Sequence, residues 1–294
     1  MNSRGQPYEK GKLTKSDGAV VEADFNGTDF QGNGKITYPN EDVYDGRIGS
    51  DGTRVGRGTL TMKDGRVFEL KFDYDSKEGD AKITYPDGDI YEGKIDSDCK
   101  RQDYAQVTKK DGIKIKMNFK DDIAQDGPVE IWYPNGDKYD GEAVAEQPHG
   151  KGKLRSHEGW NYDGTFTKGE RHGSGIQVED NGTRYDGEWV SGNKEGQGSE
   201  NYPDKSKYSG YFKANERHGK GILILEDGTS YDGEWAHGKR HGHGEQSWPS
   251  FQKYSGQWKE DQMHGQGVFT WPDRRKYVGE YVNGKKEGTG TFRW

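Results

Sequence analysis

A tyrosine returns every 23 residues, at Tyr139, Tyr162, Tyr185, Tyr208, Tyr231, Tyr254 and Tyr277. A fixed period of this length restricts the chain to repeat architectures, in which one supersecondary unit stacks on its like. A glycine follows each tyrosine two residues on, from Gly141 to Gly279. Two further on stand Ala143, Phe166, Trp189, Phe212, Trp235, Trp258 and Tyr281. Alternation with period two marks a strand.

The unit continues through a polar turn into Gly-x-Gly, as in Gly219 and Gly221 or Gly265 and Gly267. A second alternating segment follows, with Leu223 and Leu225 or Phe269 and Trp271. Each unit therefore reads as a β-hairpin with one apolar face, its other face carrying solvated residues such as Asp186, Glu188, Asp232 and Glu234. Glycine between the two ring positions leaves a slot in which an aromatic of the neighbouring strand lies across the backbone.

Before Tyr139 the pattern loosens. Tyr44 and Tyr91 begin good units, whereas Val21, Phe68 and Ile115 hold the tyrosine position without the following glycine. Leu13–Phe25, Leu60–Phe72 and Val107–Phe119 recur at 47 residues, so this half is a tandem of paired hairpins, one member glycine-poor. The expected domains are thus 1–138, divergent repeats in 47-residue pairs, and 139–294, regular 23-residue repeats. The expected fold is all-β: an elongated single-layer twisted antiparallel sheet of about twelve stacked hairpins, a rod of roughly 115 Å at about 4.8 Å per strand.

Composition agrees with a thin sheet. Only 28% of residues are apolar and 32% are charged, which starves a thick core, yet 12% are aromatic and 46 are glycine. Charge excludes one class of partner: residues 1–140 carry 22 Lys and Arg against 28 Asp and Glu, and 141–294 carry 22 against 23. Neither half supplies the basic stripe that nucleic acid requires. Cys99 is the sole cysteine, which fits a reducing compartment, and the start lacks an apolar signal segment, so a cytoplasmic location is expected.

These residues resemble the membrane occupation and recognition nexus (MORN) repeat family. Tyr231-Asp-Gly-Glu-Trp235, a polar turn, and His241-Gly-His-Gly244 carry the signature, which holds strongly from 139 to 294 and more weakly before. The resemblance implies a single-layer sheet with an aromatic groove and dimerisation through C-terminal repeats. It also implies a place in cytoskeletal or ciliary assemblies, at membrane junctions, or attached to enzymes such as lipid kinases and lysine methyltransferases.

Candidate chemistry is sparse. His149, His172, His218, His241 and His264 precede the glycine pairs. Copies one hairpin apart lie about 10 Å apart, too far to share an ion held at about 2 Å, so no metal is expected. Gly233–Lys239 and Gly279–Lys285 approach a phosphate loop, but Arg240 and Lys286 stand where Ser or Thr binds magnesium, and no strand-to-helix junction is in sight. Asn283-Gly284 reads instead as a tight turn favouring positive φ. Cys99 lies in a charged turn without a basic partner assigned to it. No cofactor and no catalysis are expected.

The expected function is a non-enzymatic scaffold binding cytoskeletal or axonemal proteins along a groove of Trp189, Tyr208, Trp235, Trp258, Tyr277 and Tyr281. A homodimer end is expected at Trp271, Phe292 and Trp294. Two alternatives stand beside it. One is a peripheral phospholipid-binding module, in which Arg274, Arg275, Lys276, Lys285 and Lys286 meet anionic headgroups at about 1 kcal/mol each. The other is the repeat region of a larger enzyme.

Overall fold

The computed structural model describes residues 9–26 and 29–294, and every regular element among them is a strand, 26 in all. Met1–Glu146 and Gln147–Trp294 form two compact units. The change of repeat at 138/139 lies inside the first, one strand before its end.

In the first unit the strands from Glu9–Thr14 to Lys138–Val144 pair antiparallel with their neighbours in sequence. The two-residue strand Ile123–Ala124 is a side branch, because Lys114–Lys120 pairs both with it and with Gly127–Trp132. In the second unit the same meander runs from Gln147–Arg155 to Lys285–Arg293. Each unit is a single antiparallel layer, as the hairpin repeat predicts.

One hairpin shows why the sequence folds this way. Ser230–Ala236 and Lys239–Ser247 pair Gly233 opposite Gly244, then shift register after that pair. The two glycines of Gly242-His243-Gly244 serve different purposes. Gly242 sits at φ +61°, the left-handed conformation that opens the bulge. Gly244 leaves room for a ring: a Cβ there would lie 2.4 Å from the Tyr231 hydroxyl. The ring therefore lies across the glycine of its own strand as well as that of its neighbour, whereas the sequence pattern pointed to the neighbour alone. At the opposite end of the fold's turn types, Asn283 and Gly284 take φ +49° and +79°, the tight turn expected of that dipeptide.

Candidate partner-binding surface

Strand alternation divides each hairpin between two faces, and the apolar residues build the first. In the second unit the rings form one unbroken edge-to-face ladder. It runs Phe166, Tyr162, Trp189, Tyr185, Phe212, Tyr208 and on to Tyr281 and Tyr277, with neighbouring centroids 4.9–5.6 Å apart. Edge-on contact sets the positive rim of one ring on the negative face of the next. Most polar tips are satisfied by backbone, the buried Tyr281 hydroxyl being an exception. Tyr231 Oη donates to the Glu234 carbonyl at 2.9 Å and Trp235 Nε1 to the Gly221 carbonyl at 3.0 Å, and the arrangement repeats from Tyr44 to Tyr254 and at Trp189 and Trp258. Burial disfavours the phenolate. It pushes Tyr44, Tyr91, Tyr162, Tyr208 and Tyr254 up to about 12, and Tyr185, Tyr231 and Tyr281 upward as well.

Cations cap this layer in a way the sequence pattern did not reveal. Arg171, Arg217 and Arg240 lie over Trp189, Tyr208 and Trp258 at 4.4, 4.8 and 4.5 Å, and Arg54 and Arg101 over Phe72 and Phe119 at 4.8 and 4.6 Å. Four of these guanidiniums also donate to a backbone carbonyl of the next hairpin, as Arg240 does to Asp261 at 2.9 Å. Lys194 takes the position over Tyr185 and pairs with Glu200 at 2.5 Å, both largely buried. The signal was available, because Arg171, Lys194, Arg217 and Arg240 recur at 23 residues just before a His-Gly or Glu-Gly step, and Arg54 and Arg101 stand 47 apart.

This packing corrects the expected aromatic groove. Trp189, Tyr208, Trp235, Trp258, Tyr277 and Tyr281 are each at most 5% exposed. A single layer was expected to leave one side of each ring open. Flat seating on paired glycines, edge contacts on both flanks and arginine stems above close all sides. The rings are the interior of the fold and present no contact surface.

The five candidate lipid-contacting cations are brought together only in part, Arg275 and Lys286 both lying over the Trp271 ring at 5.9 and 4.7 Å. Arg274, Arg275 and Lys276 lie at one end of the strand Lys276–Val282, and Lys285 and Lys286 beyond the other. Arg275 bonds Asp273 at 2.7 Å, and Lys286 turns onto the rings of Tyr277, Phe292 and Trp271 at 4.5–4.8 Å. The candidate dimer end is more open: Trp271 stacks on Phe292 at 5.9 Å, while Phe292 is 53% and Trp294 91% exposed. Cys99 is buried at the left-handed position of its turn, where burial pushes its thiol up and keeps it protonated. The phosphate-loop-like segment Gly233–Lys239 belongs to the strand Ser230–Ala236 and the turn after it, with no helix to receive phosphate.

The opposite face is open and polar. In the second unit a cavity of about 610 Å³ lies over the backbones of Gly233, Gly244, Gly256 and Gly267, walled by Lys220, Asp232, Glu234, His243 and Glu245. In the first, one of about 860 Å³ lies over Gly46, Gly58 and Gly93, between Asp45, Arg57, Glu69, Lys71 and Lys82. The backbones that seat the rings on one face thus floor shallow troughs on the other.

Comparison with known proteins follows the same lines. The profile of the MORN repeat matches residues 24–43, 162–184, 185–207, 208–230, 231–252, 254–274 and 277–294. No curated protein matches the chain. Among solved structures it is similar to the SAS-4 (dCPAP) TCP domain in complex with a proline rich motif of Ana2 (dSTIL) of Drosophila melanogaster. The two are 17% identical over 60% of this chain and 86% of that chain, with a TM-score of 0.34. It is also similar to the wild-type TCP10 domain of Danio rerio CPAP in complex with a peptide of Danio rerio STIL, 13% identical over 90% and 96% of the two chains, with a TM-score of 0.26. Likeness at these scores carries no argument about function. The repeat matches span about half of the residues, and the tyrosine, glycine-pair and tryptophan packing recurs through them: the chain belongs to the MORN repeat family.

Proposed function

We propose that the chain is a non-enzymatic scaffold that receives protein partners on the polar, glycine-floored face of its sheets. One observation carries this reading: the ring face is sealed, while the other face holds open troughs of about 610 and 860 Å³ lined by charged side chains. Concave surfaces of repeat proteins are extended binding sites of this kind. Self-association through partly buried Trp271, half-exposed Phe292 and exposed Trp294 accompanies it. A cytoskeletal or ciliary setting rests on the family resemblance.

Affinity purification of the full chain from its native cells tests the proposal, with wild type beside an Asp232→Lys, Glu234→Lys variant. Specific proteins recovered by wild type and lost from the variant are expected. Recovery of the same proteins by both, with no trough residue mattering to any of them, contradicts it. For self-association, light scattering at tens of micromolar is expected to give a dimer that Trp294→Ala weakens; a monomer unchanged by the substitution removes that part.

A further inference from the structure

On the open face of the first unit, charged residues from Glu22 to Lys94 that stand directly opposite one another carry opposite signs, with one exception. Lys35 faces Asp45, Glu69 faces Lys82 and Asp80 faces Lys94. Arg57 instead faces Lys71. Like charges in that position destabilise a sheet. Both side chains point away from the rings, because Gly58 and the buried Phe72 beside them face Tyr44.

A third cation joins them at the bulge. In the second unit the residue leaning over a bulge supplies an acceptor: Glu234 takes the His243 N–H at 3.4 Å and Gln257 the Gln266 N–H at 3.2 Å. Arg47 holds that place in the first unit, where the register shifts between Gly46 and Ile48 and a Cβ on Gly56 would lie 4.0 Å from Arg47 Cδ. Arg57 stands where His243 does, between the two glycines of a Gly-x-Gly step. The acceptor offered to that N–H in the second unit is thus replaced by a guanidinium, which accepts nothing. Among the described residues no carboxylate lies within ion-pair distance of Arg47, Arg57 or Lys71. The acids around them are matched elsewhere, Glu69 to Lys82 at 3.1 Å, Asp80 opposite Lys94 and Asp45 opposite Lys35. Arg57, Lys71 and Asn33, the cross-strand neighbour of Arg47, line the cavity of about 860 Å³.

We infer that Arg47, Arg57 and Lys71 form an oxyanion site, and that it takes a phosphorylated side chain of a protein partner lying in this trough. One carboxylate, or the neutral Gln257, suffices at a bulge of the second unit. Three cations suit instead the roughly two charges and three oxygens of a phosphate ester. Cross-strand neighbours hold their Cβ atoms about 4.5–5.5 Å apart, so Arg57 and Lys71 reach one phosphate together. A protein segment fits better than a membrane. Asp45, Glu69 and Asp80 surround the site, and residues 1–140 carry 28 acids against 22 bases, so an anionic plane is repelled where one phosphate on a chain is not. The inference rests on the scaffold reading of the open face and names the chemistry of one partner.

Fluorescence anisotropy with the full chain tests it, using a labelled peptide pool of random sequence around a central phosphoserine and the same pool with serine. Saturable binding of the phosphoserine pool is expected, with the serine pool at least tenfold weaker. Arg57→Gln and Lys71→Gln are each expected to weaken binding at least fivefold and to melt no lower than wild type, because each relieves the facing cations. Arg57→Glu, which sets a carboxylate opposite Lys71, is expected to abolish binding and to raise the melting temperature. Equal affinity for the two pools overturns the inference, as does unchanged affinity in both glutamine variants. Tighter binding of phosphatidylinositol 4-phosphate vesicles than of the phosphoserine pool, through the same residues, also overturns it and assigns the site to a membrane. Failure of the phosphoserine pool while partners are still lost from the Asp232→Lys, Glu234→Lys variant refutes the site and leaves the scaffold reading standing.

Discussion

The two units use one hairpin plan to build different interiors. In the second, twelve rings touch in sequence from Phe166 to Tyr277 without a gap. The first has separate pairs, Phe25 with Phe30, Tyr44 with Phe72 and Tyr91 with Phe119. Between its pairs the glycine-poor hairpins fill the ring's space with Leu70 or Met117, both buried. Aliphatic filling removes the need for glycine at Phe68 and Ile115, because no phenol must lie flat there. The outward rows differ too. The row that carries Arg184, Lys207 and Lys253 in the second unit runs Thr37, Val43, Thr61, Val67, Thr84 and Ile90 in the first. One unit is a continuous aromatic ladder; the other is a set of local clusters whose corresponding outward row is neutral and β-branched as far as Thr108 and then carries Lys114 and Lys138.

Alkali should separate the units most strongly. A phenol buried in the folded state titrates near 12, against about 10 when unfolded, so its stabilising effect is intact below pH about 10 and is lost as pH rises from there to about 12. More of these phenols lie in the second unit, which is expected to unfold first in a pH titration followed by hydrogen exchange. Loss of the first unit beforehand would reverse the comparison.

Trp235→Ala removes contacts with Tyr208 and Tyr231, the bond to Gly221 and the ring beneath Arg217. A cost of about 3–5 kcal/mol is expected for such a truncation. Lost protection should spread along the ladder on both sides of Ser230–Ala236. Phe72→Ala in the first unit should cost a similar amount and stay confined to the hairpins around Tyr44. Equal spread in both would break the distinction between ladder and clusters.

Gly244→Ala sets a methyl 2.4 Å from the Tyr231 hydroxyl and should cost about 1–3 kcal/mol in urea denaturation. Ala105 occupies the corresponding register in the first unit beside Tyr91, and Ala105→Gly should move stability by less. Smallest is Glu69→Gln, which breaks an ion pair with Lys82 at 3.1 Å whose side chains are about half exposed. At most about 0.5 kcal/mol is expected there.

Much of this was legible in the residues. Tyr-x-Gly-x-aromatic gave strands, faces and stacking, and the 47-residue pairing anticipated where the ring ladder breaks. The arginine caps were missed because the period was followed through its rings and glycines: Arg171, Arg217 and Arg240 stand second in their strands, beside the bulges, where their stems reach back over the rings. The sequence grouped the five candidate lipid-contacting cations, whereas Lys276–Val282 divides them and only the folding back of Lys286 sets it beside Arg275 on Trp271. The groove residues are buried, since alternation tells which residues share a side but not how completely a side closes.

Site-specific photo-crosslinking tests most directly which face receives partners. A benzoylphenylalanine replaces Ser255 on the trough floor in one full-length chain and exposed Tyr74, in a turn of the first unit, in another. Illumination in native cells is predicted to join a partner protein to the chain labelled at 255 and not to the one labelled at 74. Crosslinks of equal yield from both positions, or none from 255 while partners still co-purify, would contradict the assignment of the open face.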